Sequence, residues 1–152
     1  MHGMNDSKHI LFLCTGNSCR SQMAEGWARR LAGDACRISS AGLEAHGLNE
    51  HAVKVMADVG VDISTQESSR LDSFEGVMFD LVVTVCGHAH ETCPAWPGGQ
   101  EVRHMPFDDP PALAREAASP EEALGHYSRV RDEIRVAVAD MLSELGLLAE
   151  AD

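Results

Sequence analysis

Ile10-Leu11-Phe12-Leu13 is followed directly by Cys14-Thr15-Gly16-Asn17-Ser18-Cys19-Arg20, and these residues decide the fold. An apolar run, a loop containing glycine and the helical stretch Gln22–Leu31 predict a strand, a loop and a helix. The loop therefore lies at a helix N-terminus, where unpaired backbone N–H groups and the positive end of the helix dipole favour an anion. We expect an oxyanion to be bound by Thr15, Gly16, Asn17, Ser18, Cys19 and Arg20.

Cys14 and Arg20 carry the chemistry of this loop. Backbone N–H groups and a guanidinium both stabilise the charged form of a thiol, so Cys14 is expected to be a thiolate. The planar guanidinium of Arg20 matches two oxygens of a tetrahedral oxyanion. Ser21 adds a hydroxyl that can donate to the Cys14 thiolate, and it can also cap the helix. The pattern predicts nucleophilic attack by sulfur on phosphate or a phosphate-like anion.

Composition limits the class of protein. The chain has 152 residues, 44% of them hydrophobic, which predicts one catalytic domain over residues 1–152 with a packed core. A net charge of −12 argues against nucleic acid and anionic membranes as partners. No apolar run is long enough to span a membrane, and residues 1–7 are expected to be a flexible tail. We expect a cytoplasmic protein and a monomer. Five cysteines, an odd number, argue against a permanent disulfide framework.

Strands and helices alternate along the chain. Apolar and β-branched runs predict strands at Lys8–Leu13, Arg37–Ser40, Leu81–Val85 and Glu101–Met105. Helical periodicity predicts helices over 21–32, from Asn49 to Gly60, and over Glu121–Leu148. Residues 106–120, with four prolines, are predicted to be a loop. The order predicts an α/β fold, a three-layer doubly wound sandwich around a four-stranded parallel sheet.

Ligands in such folds bind at the carboxyl ends of the strands. Cys14 and Cys86 each end a predicted strand, and Asp109 follows the fourth, so the three are expected at one edge of the sheet. A carboxylic acid beside a thiol-bound oxyanion can protonate the leaving oxygen. Because Pro110 holds the residue before it extended, Asp109 can be aimed at the site from a loop.

A second cluster, Cys86-Gly87-His88-Ala89-His90-Glu91-Thr92-Cys93, begins where the third strand ends. One hypothesis is a redox switch, in which Cys86 and Cys93 form a disulfide once the segment refolds. A second is a zinc site made by the two cysteines with His88 and His90. A third is that the histidines are solvated and Cys93 has no chemical role. Cys19 and Cys36 are interpreted as structural.

The sequence resembles arsenate reductases built on the low-molecular-weight tyrosine phosphatase fold. The resemblance covers residues 8–142 in order, and its most specific part is the set of three cysteines at 14, 86 and 93. The matching segments are Cys14 to Gly26, Ser40-Ala41-Gly42, Asp62-Ile63-Ser64, Leu81–Cys86 with Cys93-Pro94, Phe107-Asp108-Asp109-Pro110 and Tyr127 to Ile134.

The resemblance implies a relay of thiols. Cys14 attacks arsenate, for which phosphate or sulfate is an analogue, and Asp109 helps to expel water or hydroxide. Cys86 then attacks Cys14 and releases arsenite, Cys93 attacks Cys86, and thioredoxin reduces the last disulfide. Some members of the family also bind potassium beside the loop. Asn17, Glu25 and Ser40 match that site, but Glu67 and Ser69 replace the usual Thr and Asp. We expect no tightly bound cofactor and at most a weak potassium site.

Two other functions compete with the reductase. A low-molecular-weight protein tyrosine phosphatase would use Cys14, Arg20 and Asp109 and ignore the other two cysteines. That family places an aromatic residue after its Asp-Pro, where this chain has Pro111, which argues against it. A regulator that responds to zinc or to redox state through residues 86–93 is the third hypothesis.

Overall fold

The computed structural model describes residues 8–86 and 101–149. Four strands are hydrogen-bonded in the order β2-β1-β3-β4, and each neighbouring pair is parallel. The strands are β1 (Lys8–Cys14), β2 (Cys36–Gly42), β3 (Leu81–Cys86) and β4 (Glu101–Phe107). The helices are α1 (Arg20–Ala32), α2 (Glu50–Ala57), α3 (Pro110–Arg115) and α4 (Pro120–Glu144). The α/β fold predicted from the sequence, with helices around a four-stranded parallel sheet, is confirmed.

The two central strands are apolar because both of their faces are covered. Every residue of β3 is buried, and in β1 only Lys8 is exposed. On one face the strands pack against α1, α2 and α4 through side chains such as Phe12, Val83 and Ile134. On the other face Phe79 and the 3-10 turn Leu71–Phe74 cover a smaller apolar cluster. This double burial explains the continuous run of hydrophobic residues in β3.

Local signals set the ends of the first two helices. In α1, Met23, Trp27 and Ala28 recur at helical spacing and are buried, as the sequence predicts. Gly33 follows α1 with φ +57°, a conformation that glycine adopts without strain. The side chain of Asn49 caps α2 by accepting hydrogen bonds from the backbone N–H groups of His51 and Ala52, at 2.8 and 3.0 Å.

The region after β4 differs from the prediction of a loop over 106–120. Pro106 and Phe107 extend β4, and Pro110–Arg115 forms α3, which begins with two prolines. Proline is favoured in the first turn of a helix, because its φ is already helical and its missing N–H has no partner there.

The C-terminal end of α4 also differs from the prediction of a helix up to Leu148. The helix ends at Glu144, and Gly146 has φ +72°. The Leu147 N–H then returns to the Leu142 carbonyl at 2.8 Å, which closes the helix end. Within the described ranges, no helix is both long and apolar enough to cross a membrane.

Candidate active site

The loop between β1 and α1 curls as the sequence predicts. Cys14 is the last residue of β1, Arg20 is the first of α1, and Asn17 between them has φ +47°. The carbonyls of Thr15 and Gly16 accept hydrogen bonds from the backbone N–H groups of residues 44 and 46, at 3.0 and 2.9 Å. These carbonyls are bonded to protein donors, so they do not compete with an anion for the space in front of the loop.

A cavity of about 480 Å³ opens at the carboxyl ends of the strands, in front of this loop. It brings together most of the residues that the sequence selects. The predicted residues that line it are Cys14, Thr15, Gly16, Ser18, Cys19, Arg20 and Asp109. Asn17 and Ser21 are fully buried, and Asn17 Nδ2 donates to Ser21 Oγ at 2.9 Å. Because Ser21 accepts this bond, its own hydroxyl proton stays available for a second partner.

Arg20 connects the loop to the end of β4. Its guanidinium is buried, with Nη1 donating to the carbonyl of Phe107 at 3.1 Å and Nη2 at 3.6 Å from Asp109 Oδ1. Asp109 retains 26% of its side-chain exposure and lines the cavity. A fixed guanidinium and a partly open carboxyl group therefore face the same space, which suits the binding of an oxyanion and the protonation of its leaving oxygen.

Cys86 lies next to the nucleophilic loop. β1 and β3 are neighbours, with Leu13 opposite Thr84, so Cys14 and Cys86 end adjacent strands. The Cys86 Sγ is 3.8 Å from Thr15 Oγ1 and is buried. Cys86 therefore contacts Thr15, the residue that directly follows Cys14. The redox and zinc hypotheses for residues 86–93 stay predictions, because His88, His90 and Cys93 lie outside the described residues.

The cysteines have different environments. Cys14, Cys19, Cys36 and Cys86 are all buried. Burial raises the pKa of Cys19 far above its ordinary value, and the nearby charge of Arg20 offsets only part of that rise. Burial also raises the pKa of Cys36. Both remain neutral thiols at physiological pH, which supports the interpretation of Cys19 and Cys36 as structural.

Asn17, Glu25 and Ser40 converge behind the loop, but as a hydrogen-bonded chain. Asn17 directs its Nδ2 at Ser40 Oγ, 3.0 Å away, and Ser40 Oγ donates to Glu25 Oε1 at 2.5 Å. The Asn17 Oδ1 is occupied by the N–H of Ser69 at 2.7 Å and by the amide of Gln22 at 3.1 Å. The oxygen atoms that a potassium ion would need already accept bonds from protein donors.

The guanidinium of Arg29 neutralises the Glu25 carboxylate. The Nε of Arg29 donates to Glu25 Oε2 at 2.8 Å, and its Nη2 donates to the carbonyl of Ile38 at 2.8 Å. Glu25 is almost fully buried, so this pairing offsets the cost of burying its charge. The weak potassium site expected from the sequence stays a prediction. Within residues 8–86 and 101–149, no cluster of three or more histidine, cysteine or acidic side chains could hold a metal ion.

Four further residues line the cavity that were not predicted as site residues from the sequence: His46, Asn49, Pro111 and Arg115. His46 Nε2 lies 2.6 Å from Glu44 Oε1, and the Asn49 amide donates to the Tyr127 hydroxyl at 3.3 Å. The consecutive prolines Pro110 and Pro111 could have predicted the start of α3, because proline is favoured in the first turn of a helix. A helix beginning there would have placed Arg115 one turn after Pro111, on the same side.

Comparison with known proteins agrees with this geometry. The family model for low molecular weight phosphotyrosine protein phosphatase matches residues 9–148. An arsenate reductase of Bacillus subtilis is 54% identical over 129 residues, which cover 85% of this chain and 91% of that protein. An arsenate reductase solved in the phosphate binding state superposes with a TM-score of 0.73 at 29% identity, covering 90% of this chain and 98% of the other.

A second solved structure, an arsenate reductase in the oxidized state, has a TM-score of 0.72 at 28% identity and covers 91% of this chain and 98% of the other. The family match spans nearly all of the chain, from β1 to the residues after α4. It also includes the loop with Cys14 and Arg20, the end of β3 and Asp109. The chain therefore belongs to the low molecular weight phosphotyrosine protein phosphatase family.

Proposed function

We propose that the protein reduces arsenate to arsenite by a relay through Cys14, Cys86 and Cys93, with thioredoxin as the final reductant. The observation that carries the proposal is the position of Cys86, whose sulfur contacts Thr15 beside the cavity that contains Cys14, Arg20 and Asp109. A phosphatase would not need a thiol at the position of Cys86. The relatives named arsenate reductase support the same reaction.

In the first step the Cys14 thiolate attacks the arsenic atom of arsenate and forms an S–As bond. Arg20 binds the oxyanion, and Asp109 gives a proton to the oxygen that leaves as water. Arsenic remains pentavalent at this stage. The buried guanidinium, held by the Phe107 carbonyl, is oriented before substrate arrives, so little reorganisation is needed on binding.

In the second step the thiol of Cys86, as thiolate, attacks the Cys14 sulfur. An S–S bond forms and the S–As bond breaks, and its electron pair stays on arsenic, which leaves as trivalent arsenite. Cys93 then attacks Cys86, forming a Cys86–Cys93 disulfide and returning Cys14 as a thiolate. Two electrons from the protein thiols have reduced one arsenate.

The third step regenerates the enzyme. A dithiol of thioredoxin reduces the Cys86–Cys93 disulfide and supplies the two electrons of the cycle. Cys86 ends β3, and transfer of the disulfide from Cys14 to Cys93 leaves Cys14 free for the next arsenate. Such a cycle requires a compartment in which thiols are kept reduced, so we place the protein in the cytoplasm.

The test is a coupled assay with arsenate, thioredoxin, thioredoxin reductase and NADPH. Cys14→Ser, Cys86→Ser and Cys93→Ser should each abolish steady NADPH consumption. Cys36→Ser is the matched control, because Cys36 is a buried thiol in β2 that the relay does not use, and it should retain activity. Steady turnover in Cys86→Ser or Cys93→Ser would overturn the relay.

A single turnover without thioredoxin separates the steps. Cys93→Ser should release one arsenite per protein and accumulate a Cys14–Cys86 disulfide, which peptide mapping under non-reducing conditions would identify. Cys86→Ser should release no arsenite. Release of arsenite from Cys86→Ser would show that another thiol performs the second attack.

Phosphomonoester hydrolysis is the second candidate, because the family match and the trio of Cys14, Arg20 and Asp109 both suit it. No Phe, Tyr or Trp is among the described residues that line the cavity, which disfavours binding of the aromatic ring of phosphotyrosine. Hydrolysis of an aryl phosphate that survives both Cys86→Ser and Cys93→Ser, with no reduction of arsenate, would favour the phosphatase.

A further inference from the structure

Arg115 is an unassigned cation in the cavity that contains Cys14. It is exposed and lies at the end of α3, on the wall that also includes Pro111 and Asp109. Among the residues that the structure describes, it has no hydrogen-bond or ion-pair partner. The other arginines near the loop are engaged, Arg20 by Phe107 and Asp109 and Arg29 by Glu25. An unpaired guanidinium beside an anion site has donors to offer a ligand.

The fold holds Arg115 in this position. The Leu113 N–H returns to the Asp109 carbonyl at 3.1 Å, so α3 begins directly at the proposed general acid. Pro111 and Arg115 are four residues apart on this helix and line the cavity together. Helix α3 packs against α4, which contributes the buried Tyr127.

The effect of Arg115 on the pKa of Tyr127 also indicates that its charge lies near the cavity. Burial raises the pKa of the Tyr127 phenol, the hydrogen bond from Asn49 lowers it, and the charge of Arg115 adds a smaller lowering effect, so this charge acts on the side of the cavity where Asn49 contacts Tyr127. The other basic group at the mouth, His46, faces the carboxylate of Glu44. In a chain with a net charge of −12, a free guanidinium at the mouth offsets the repulsion that a dianion meets.

We propose that Arg115 is a second substrate-binding arginine, which contacts an outer oxygen of the tetrahedral dianion while Arg20 holds the inner ones. It belongs to the capture of the anion and touches no bond that forms or breaks. Arg115 should therefore lower KM and leave kcat unchanged. As a role in arsenate reduction this rests on the proposed function, but as an anion contact it can be measured without turnover.

The experiment compares Arg115→Met, Arg115→Lys and Arg37→Met. Arg37 is the matched control: it is exposed and unpaired within the described residues, it lies at the amino end of β2 away from the cavity, and its loss changes the net charge equally. Isothermal titration calorimetry with inorganic phosphate gives the Kd, and the coupled assay gives kcat and KM for arsenate.

Arg115→Met should raise the phosphate Kd and the arsenate KM by about fivefold, between the value of an exposed ion pair and that of a charge-assisted hydrogen bond. Arg115→Lys should recover part of this loss, and Arg37→Met should match the wild type. An unchanged phosphate Kd in Arg115→Met, or equal weakening in Arg37→Met, would overturn the proposal.

Two further outcomes separate this inference from the proposed function. If Arg115→Met raises only the KM for thioredoxin, Arg115 belongs to the reductant surface and the inference is wrong. If the wild type does not reduce arsenate but its phosphate binding depends on Arg115, the proposed function fails and the anion contact stands.

Discussion

Single residues at the carboxyl edge of the sheet have distinct chemical tasks because their surroundings differ. Cys19 and Cys14 lie in one loop, yet burial raises the pKa of Cys19 and keeps it a neutral thiol. Asp108 and Asp109 are adjacent, yet Asp109 lies in the cavity near Arg20, while Asp108 pairs with Arg129 at 3.1 Å on the surface. The sequence alone favours Asp109 because it precedes Pro110, and the structure places it at the cavity.

The aspartate pair gives a direct test of general acid catalysis. Asp109→Asn should lower kcat for arsenate by about 10²-fold, because the amide cannot donate an acidic proton to the leaving oxygen. Asp108→Asn is the matched control and should stay close to wild type, since an exposed ion pair contributes little. Steady-state kinetics measure both variants. A larger loss of kcat in Asp108→Asn than in Asp109→Asn would contradict the role of Asp109 as general acid.

His9 makes stability depend on pH. It is buried in β1 against Phe79, with Nε2 at 2.8 Å from Ser39 Oγ. Burial lowers its pKa below the ordinary value of 6.5, the charges of Arg37 and Arg29 add to this, and Asp80 opposes it. The unfolded chain therefore binds a proton at a higher pH than the folded chain does, and stability falls as pH drops below 6.5.

We expect the free energy of unfolding to decrease from pH 7 to pH 5, and His9→Gln to reduce that slope because glutamine does not titrate. Urea denaturation at several pH values measures both. Equal slopes in the variant and the wild type would assign the acid sensitivity to other groups.

At the scale of elements, β2 supports the nucleophilic loop from behind. A Cβ atom on Gly42 would lie 2.8 Å from the backbone N of Asn17 and 2.8 Å from the carbonyl O of Thr15, closer than real contacts allow. Only glycine therefore lets the end of β2 approach the loop without moving it. The loop is formed by a local sequence, but its position depends on this distant strand.

Gly42→Ala should destabilise the protein by about 1–3 kcal/mol and weaken phosphate binding, because the loop backbone must shift. Gly125→Ala is the contrasting variant: Gly125 lies in α4 with open space around it, so alanine should stabilise the helix by roughly 0.5–1 kcal/mol. Thermal unfolding and calorimetry test both, and normal phosphate affinity in Gly42→Ala would contradict the packing argument.

Helix α1 contributes Arg29, whose guanidinium pairs with Glu25 behind the loop. Because Arg29 already neutralises Glu25, and because Asn17 offers an amide N–H group to Ser40, we expect no specific need for potassium. Activity should be equal in potassium chloride and sodium chloride at matched ionic strength. Saturable activation by potassium alone would show that an ion displaces this network.

The same network predicts a stability difference between neighbouring arginines. Arg29→Gln should cost about 1–2 kcal/mol, since it leaves a buried carboxylate without its cation, and the exposure of Arg29 moderates the loss. Arg30→Gln should cost less, because Arg30 is exposed and donates only to the carbonyl of Gly60. Urea denaturation compares the two, and an equal loss in both would argue against the role of Arg29.

For the whole molecule, the negative net charge repels the anionic substrate. A chain of −12 repels a dianion at long range, while the loop and the arginines attract it at contact distance. The two effects differ in range, so salt separates them. Between 10 mM and 150 mM ionic strength the screening length falls from about 30 Å to about 8 Å.

Raising an inert salt over that interval should therefore increase kcat/KM for arsenate, because the long-range repulsion is screened more than the contacts are. Stopped-flow or steady-state kinetics in sodium chloride, without sulfate or phosphate, give the measurement. A value of kcat/KM that falls steadily over this interval would mean that attraction dominates at all distances.

The first strand, the anion loop and the helix after it could be predicted from sequence, since all three follow from about twenty consecutive residues and local backbone preferences. The sequence also predicted that Cys14, Cys86 and Asp109 lie at one edge of the sheet, because parallel strands end at the same edge. Packing between elements decided that Ser40 of β2 donates to Glu25 of α1, that Asn17 turns its amide N–H toward Ser40, and that α3 returns Arg115 to the cavity. These contacts depend on packing between elements and on the competition among several donors for one acceptor, neither of which is visible in a local pattern of residues.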